Sequence, residues 1–145
     1  MSIRQLSIFV ENKAGRLAEI TSIIADAGID IHALSIADTT NFGILRLIVN
    51  EPDQAEQTLK AAGLTVSLTD VIAIGIDNRP GSFAKAAKVL SEAKVDIEYM
   101  YAFIAQEQDR AWVILRVPDN EKALQALKNG GIEILAEDKI SSLKP

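Results

Sequence analysis

The 145-residue sequence contains the same polar, glycine-bearing segment twice. The first copy reads Glu11-Asn12-Lys13-Ala14-Gly15-Arg16-Leu17-Ala18, and 66 positions later the second reads Asp77-Asn78-Arg79-Pro80-Gly81-Ser82-Phe83-Ala84. Each copy follows a short apolar run and precedes apolar residues at helical spacing. An internal repeat of this length predicts two units of similar topology, which we assign to residues 1–69 and 70–145. At about 70 residues each, a separate hydrophobic core is marginal, so we expect the two units to depend on each other.

Apolar periodicity predicts the order βαββαβ in both copies. In the first, strands are expected at residues 3–10, 31–37, 42–49 and 64–68, with helices beginning at Leu17 and Pro52. In the second, strands are expected at 71–76, 95–105, 110–117 and 132–136, with helices at 83–93 and 120–129. Two right-handed crossovers then give a four-stranded antiparallel sheet with both helices on one face. The predicted fold class is therefore α+β, with two ferredoxin-like units in tandem.

Aromatic residues of the second copy fall on the sheet face that the helices leave open. Period-two alternation places Tyr99, Tyr101, Phe103 and Trp112 on that face. Because a large exposed apolar patch usually marks an interface, we expect a partner sheet or a second subunit to cover it. The alternative is that these residues belong to the core.

Composition excludes several classes of function. With 15 basic and 20 acidic residues the formal charge is −5, which disfavours a nucleic-acid partner. There is no cysteine and His32 is the only histidine, so thiolate and multi-histidine metal sites are excluded, and His32 is expected to be structural or to lie at a pocket rim. No Walker-type loop, GxGxxG or HExxH motif occurs, and we predict no catalytic residue, metal or cofactor.

No apolar stretch approaches a membrane span, and the N-terminus lacks the long apolar run of a secretory signal. We therefore expect a cytoplasmic protein without a membrane partner.

The repeated loop has the chemistry of an anion site. A glycine between a strand and a helix lets a ligand approach the backbone, and the first-turn amides and the helix dipole favour a carboxylate. An asparagine can accept a hydrogen bond from an ammonium and donate one to a carboxylate. The alternative is structural: Asn12 and Asn78 cap the helices, Pro80 fits an early helical position, and Gly15 and Gly81 permit close helix–strand packing.

The two loops and the βαββαβ order around them resemble the ACT domain, a small regulatory module that binds amino acids. The resemblance covers about residues 3–68 and 70–136. In that family, effectors bind between two ACT domains, at the loop after the first strand and the start of the first helix. The matching positions here are Asn12, Ala14, Gly15, Arg16 and Leu17, and Asn78, Pro80, Gly81, Ser82 and Phe83. The resemblance implies that amides near the glycines bind the carboxylate, that the asparagines bind the amino or carboxylate group, and that Leu17 or Phe83 shapes the side-chain pocket.

The resemblance further implies a non-catalytic sensor, a homodimer that binds an amino acid or a similar small carboxylate and acts on an unidentified partner enzyme. The alternative is a regulatory subunit or scaffold that acts through protein–protein contacts without a ligand. An acylphosphatase-like hydrolase is disfavoured because the loop arginines Arg16 and Arg79 lack a phosphate cradle and a strand asparagine. RNA binding by the aromatic sheet face is disfavoured by the charge.

The two loops are not equivalent in sequence. The first has Ala14 and Arg16 where the second has Pro80 and Ser82, so we expect the ligand to distinguish them. The sequence leaves open which amino acid binds, which loop binds it, and whether the functional pair is internal to the chain or a true homodimer.

Overall fold

The computed structural model describes residues 2–11, 13–38, 41–104 and 109–141. Its strands are β1 (Ile3–Glu11), β2 (Ile31–Asp38), β3 (Phe42–Val49), β4 (Thr65–Asp77), β5 (Tyr99–Ile104), β6 (Arg110–Arg116) and β7 (Glu133–Leu135). Its helices are α1 (Arg16–Asp26), α2 (Pro52–Ala61), α3 (Ser82–Glu92), α4 (Asn120–Asn129) and α5 (Glu137–Ser141).

The chain divides into two compact units. The N-terminal unit contains Arg4–Thr69 with residues 140–141, and the C-terminal unit contains Asp70–Lys139 with residues 2–3. In the N-terminal unit the strand order is β2-β3-β1-β4, and in the C-terminal unit it is β7-β4-β6-β5. The strand pairs β1–β3, β2–β3, β4–β6, β4–β7 and β5–β6 are antiparallel. The predicted ferredoxin-like topology is therefore confirmed in both copies.

One strand differs from the prediction. The strands expected at 64–68 and 71–76 are a single strand, β4, and the boundary between the units falls inside it. Thr69 and Asp70 separate the two apolar runs, and neither glycine nor proline is present there to interrupt an extended chain.

In each unit the core lies between one sheet face and two helices. Alternate strand residues meet the apolar stripes of the helices, as period-two and 3.6-residue spacing require. The N-terminal core includes Leu6, Ile8 and Val10, Leu45 and Leu47, and the helical residues Ile20, Ile24, Ala55 and Leu59. The C-terminal core includes Ile72 and Ile74, Val113, Leu115 and Val117, and the helical residues Ala86, Leu90, Ala123 and Leu127.

The opposite sheet face differs between the units. Trp112 is only 1% exposed in the single chain; its ring packs edge-to-face on Phe103, with centroids 5.7 Å apart, and Lys139 Nζ lies 5.9 Å from it. No second subunit is therefore needed to bury Trp112. The exposed aromatic surface is instead in the N-terminal unit, where Phe9 and Phe42 stack at 4.9 Å and remain 50% and 42% exposed.

Candidate functional site

A glycine in the left-handed conformation begins the first helix of each unit. Gly15 is the N-cap of α1 with φ 85°, and Gly81 is the N-cap of α3 with φ 89°. A Cβ atom added at either position would contact nothing within 4 Å. The backbone conformation, and not close helix–strand packing, is therefore what favours glycine here.

The structure describes only one of the two loop asparagines. Asn12 lies outside the described residues. Asn78 is exposed, and its backbone N–H donates to the Asp109 carbonyl at 2.7 Å. Because the N-cap of α3 is Gly81, the alternative in which Asn78 caps the helix is wrong.

The start of α3 presents unused amide donors. The Lys85 N–H donates to the Gly81 carbonyl at 3.0 Å and the Ser82 N–H to the Arg79 carbonyl at 3.3 Å. Within the described residues, the amides of Phe83 and Ala84 have no acceptor. Such first-turn donors at the positive end of a helix dipole can bind a carboxylate oxygen.

The same turn geometry occurs at the start of α1. The Glu19 N–H donates to the Gly15 carbonyl at 3.0 Å, and the Arg16 N–H to the Lys13 carbonyl at 3.2 Å. Ala14 and Gly15 line the solvent-facing side of this turn, together with Arg16 and Glu19.

Beside the N-terminal loop lies a cavity of about 200 Å³, here called the loop cavity. It is lined by Val10, Glu11, Lys13, Arg16, Leu17, Ile36 and Gly43. The Arg16 Nη1 donates to Glu19 Oε2 at 3.1 Å, whereas its Nε is shielded from solvent and has no acceptor among the described residues.

Glu11 and Lys13 form an ion pair at the edge of the loop cavity, with 2.8 Å between Lys13 Nζ and Glu11 Oε2. The hydrogen bond from Lys13 lowers the pKa of the Glu11 carboxyl, so this group is ionised at neutral pH. The cavity therefore combines apolar walls with both signs of charge.

The C-terminal loop borders a more ionic cavity of about 310 Å³. It is lined by Gly75, Ile76, Asp77, Arg79, Ser82, Lys85, Arg110, Gly131, Ile132 and Glu133. Arg110 Nη1 donates to Asp77 Oδ1 at 3.0 Å, and Nη2 donates to Glu133 Oε1 at 2.8 Å. The hydrogen bond to Asp77 raises the pKa of Arg110 further above its already high value. Through Arg110 on β6, these ion pairs connect Asp77, the last residue of β4, to Glu133 on β7.

Gly75 makes this arrangement possible. A Cβ atom at Gly75 would lie 2.8 Å from Arg110 Nη2 and would overlap the Glu133 carboxylate. Gly75, Arg110 and Glu133 are not among the site residues that the sequence predicts. A glycine inside a strand pattern was the available signal, because it often marks a close approach of another group.

Five of the predicted site residues thus lie in four different settings. Arg16 and Leu17 line the loop cavity, and Ser82 lines the ionic cavity. Pro80 lies in the exposed turn before α3. Phe83 packs partly buried against the C-terminal core, so it does not repeat the position of Leu17, which is 42% exposed.

Other chemistry is limited in the described part of the chain. There, no group of three or more histidine, aspartate or glutamate side chains could hold a metal ion. His32 lies on β2 where the register with β3 shifts, and burial lowers its pKa. No helix among these residues is long and apolar enough to cross a bilayer.

Comparison with known proteins identifies the family. The ACT domain pair family model matches residues 1–144. The solved structure of protein BT0572 from Bacteroides thetaiotaomicron is 42% identical, covers 99% of this chain and 98% of its own, and gives a TM-score of 0.92. No curated protein gives a significant match.

The regulatory subunits of aspartate kinase from Thermus thermophilus, in its ligand-free form, and from Thermus flavus share the fold. Each is 18% identical to this chain, and the TM-scores are 0.66 and 0.61. Each alignment covers 88% of this chain, together with 91% of the Thermus thermophilus chain and 92% of the Thermus flavus chain. The repeated loop, the two ferredoxin-like units and the match over almost all residues agree, and the chain belongs to the ACT domain pair family.

Proposed function

We propose that this protein is a non-catalytic sensor that binds an amino acid or a similar small carboxylate through its strand–helix loops, at an interface between ACT domains. The observation that supports this most strongly is the glycine-capped helix start, present in both units with the same backbone geometry. A left-handed glycine before a helix directs amide donors at one point, as recognition of a carboxylate requires.

Regulation then follows from differential affinity. A ligand shifts the equilibrium between two conformations only if it binds one of them more tightly, and the shift is reported to a partner enzyme or regulator. The 18%-identical aspartate kinase regulatory subunits show that this fold occurs in regulatory proteins, but they do not identify the partner of this chain.

Isothermal titration calorimetry of the whole protein with each proteinogenic amino acid tests the proposal. We expect at least one to bind, and we expect affinity to fall when Gly15 or Gly81 is replaced by valine, because neither left-handed turn tolerates a β-branched residue. Absence of measurable binding for every amino acid would contradict the proposal.

A scaffold without a ligand is the second candidate function, and one observation favours it. The N-terminal unit exposes the stacked pair Phe9 and Phe42 together with Ile44, which is 37% exposed. We propose that a second copy of the chain covers this surface in a homodimer. A scaffold would form this contact and bind no amino acid.

A further inference from the structure

The N-terminal loop cavity is apolar on one side and ionic on the other. Val10, Leu17, Ile36 and Gly43 form the apolar walls, and the polar groups belong to Glu11, Lys13 and Arg16. Its volume of about 200 Å³ equals roughly seven water molecules at about 30 Å³ each. This space suits a small metabolite. Ligand sites commonly combine such apolar walls with a few polar groups that orient the ligand.

We propose that the loop cavity binds a small α-amino acid with an aliphatic side chain, of the valine, leucine and isoleucine class, and that the N-terminal loop is therefore the ligand-binding one. This inference rests on the sensor function proposed above and specifies its ligand class and its loop. The aliphatic side chain lies against Leu17 and Ile36, and the charged groups of the ligand face Glu11 and Arg16.

Arg16 is the group for the ligand carboxylate. One of its terminal nitrogens is occupied by Glu19, while Nε is shielded from water and lacks an acceptor in the described residues. A shielded donor without an acceptor costs stability, and a carboxylate in the adjacent cavity would satisfy it with a charge-assisted hydrogen bond. The positive end of α1 favours the same charge.

Glu11 is the group for the ligand ammonium. Glu11 lines the cavity, and its carboxylate is ionised, since Lys13 lowers its pKa. Glu11 and Arg16 therefore offer one negative and one positive group beside the same apolar walls, as a zwitterion with an apolar side chain requires.

The C-terminal unit lacks this combination. The repeat places Ser82 at the position of Arg16, Ala102 at that of Ile36 and Ala111 at that of Gly43. The cavity of the C-terminal unit is lined by Arg110 and Glu133, which are hydrogen-bonded to each other. An aliphatic side chain bound there would remove water from both charges and would offer them no hydrogen bond in return. An apolar ligand should therefore select the N-terminal loop.

Calorimetric titration of the whole protein with L-leucine, L-isoleucine, L-aspartate and L-lysine tests the ligand class. We expect leucine or isoleucine to bind at least tenfold more tightly than aspartate or lysine. Isoamylamine, which is leucine without its carboxylate, should bind at least tenfold more weakly than leucine.

Two pairs of variants test the location. Ile36→Asp should weaken leucine binding at least tenfold, whereas Leu34→Asp should leave it within twofold. These residues share a strand and a face and are 52% and 55% exposed, but only Ile36 lines the cavity. Arg16→Ser should weaken binding at least tenfold, and Arg79→Ser in the other loop should not. Thermal unfolding of each variant checks that it is folded.

The outcomes separate this inference from the sensor function. Tighter binding of aspartate or lysine, or loss of leucine binding in Arg79→Ser but not in Arg16→Ser, would overturn the inference and leave the sensor function intact. Equal effects of Ile36→Asp and Leu34→Asp would also overturn it. If none of the proteinogenic amino acids binds, the sensor function and this inference both fail.

Discussion

At one position the two copies have the same backbone conformation but different residues. After the first helix of each unit the chain turns through a left-handed residue, which is Gly28 with φ 73° in the N-terminal unit and Lys94 with φ 57° in the C-terminal unit. A lysine in this conformation is strained by about 1 kcal/mol or more, because its Cβ crowds the following carbonyl oxygen.

Replacing Lys94 with glycine should therefore stabilise the protein. We expect the free energy of unfolding to rise by about 0.5–1 kcal/mol, since relief of strain is partly offset by the greater freedom of glycine in the unfolded chain. Lys88→Gly, inside the exposed face of α3, is the matched control and should lower stability. Chemical denaturation measures both, and an unchanged or lower stability of Lys94→Gly would contradict the assigned strain.

His32 predicts a dependence of stability on pH. Burial lowers its pKa in the folded state, against an opposing effect of Asp30, so between the folded and unfolded pKa values the unfolded chain binds more protons. Stability should fall as the pH drops below about 6.5, the ordinary histidine value. His32→Gln should reduce this slope in denaturation curves at several pH values, and an unaltered slope would rule out His32 as its source.

At the scale of secondary-structure elements, the two loops are fixed by different interactions. In the C-terminal unit, Arg110 connects Asp77 on β4 to Glu133 on β7. In the N-terminal unit, Glu11 occupies the position of Asp77. Among the ion pairs of the described residues, Glu11 pairs only with its neighbour Lys13. The C-terminal loop is therefore attached to two further strands, and the N-terminal loop is attached locally.

Gly75→Ala should loosen the C-terminal loop. The added methyl group displaces Arg110 and Glu133, and overpacking of this kind costs about 1–3 kcal/mol. We expect faster hydrogen exchange at the Asn78 amide, which is bonded to the Asp109 carbonyl. Thr65→Ala, at the position equivalent to Glu133 in the other unit, should leave that exchange unchanged. Unchanged exchange in Gly75→Ala would show that these ion pairs do not hold the loop.

Most of the helices, strands and loops could be predicted from the sequence, because helices and strands follow from local periodicity and the loops from their glycines. The single β4 and the five-residue α5 could not, since no turn residue or amphipathic period marks their limits. The sequence does not identify the cavity residues Ile36, Arg110 and Glu133 for a different reason. Their approach to the loops depends on strand register between distant segments, which composition and spacing do not encode.

At the scale of the whole molecule, one fold is used twice with different surfaces. The N-terminal unit exposes apolar side chains at Phe9, Leu34, Ile36 and Phe42, while the C-terminal unit has the Arg110 ion pairs where the repeat aligns Phe42. A symmetric role for the two units is therefore not expected, although their backbones follow the same topology.

The exposed aromatic pair predicts the assembly. Light scattering after size exclusion should give the mass of a homodimer, and Phe9→Glu should shift the protein toward monomer because it places a charge in an apolar contact. Leu34→Glu is a control of similar exposure, on the sheet face that it shares with its core partner Leu47, and should leave the dimer intact. A monomeric wild-type protein would contradict the homodimer.

The most direct test of the sensor function is calorimetric titration of the full protein with each proteinogenic amino acid, repeated with Gly15→Val and Gly81→Val. We predict saturable binding of at least one amino acid to the wild-type protein and its loss in at least one of the two variants. Absence of binding for all of them, or binding that neither loop substitution alters, would contradict the assignment of the glycine-capped loops as ligand sites.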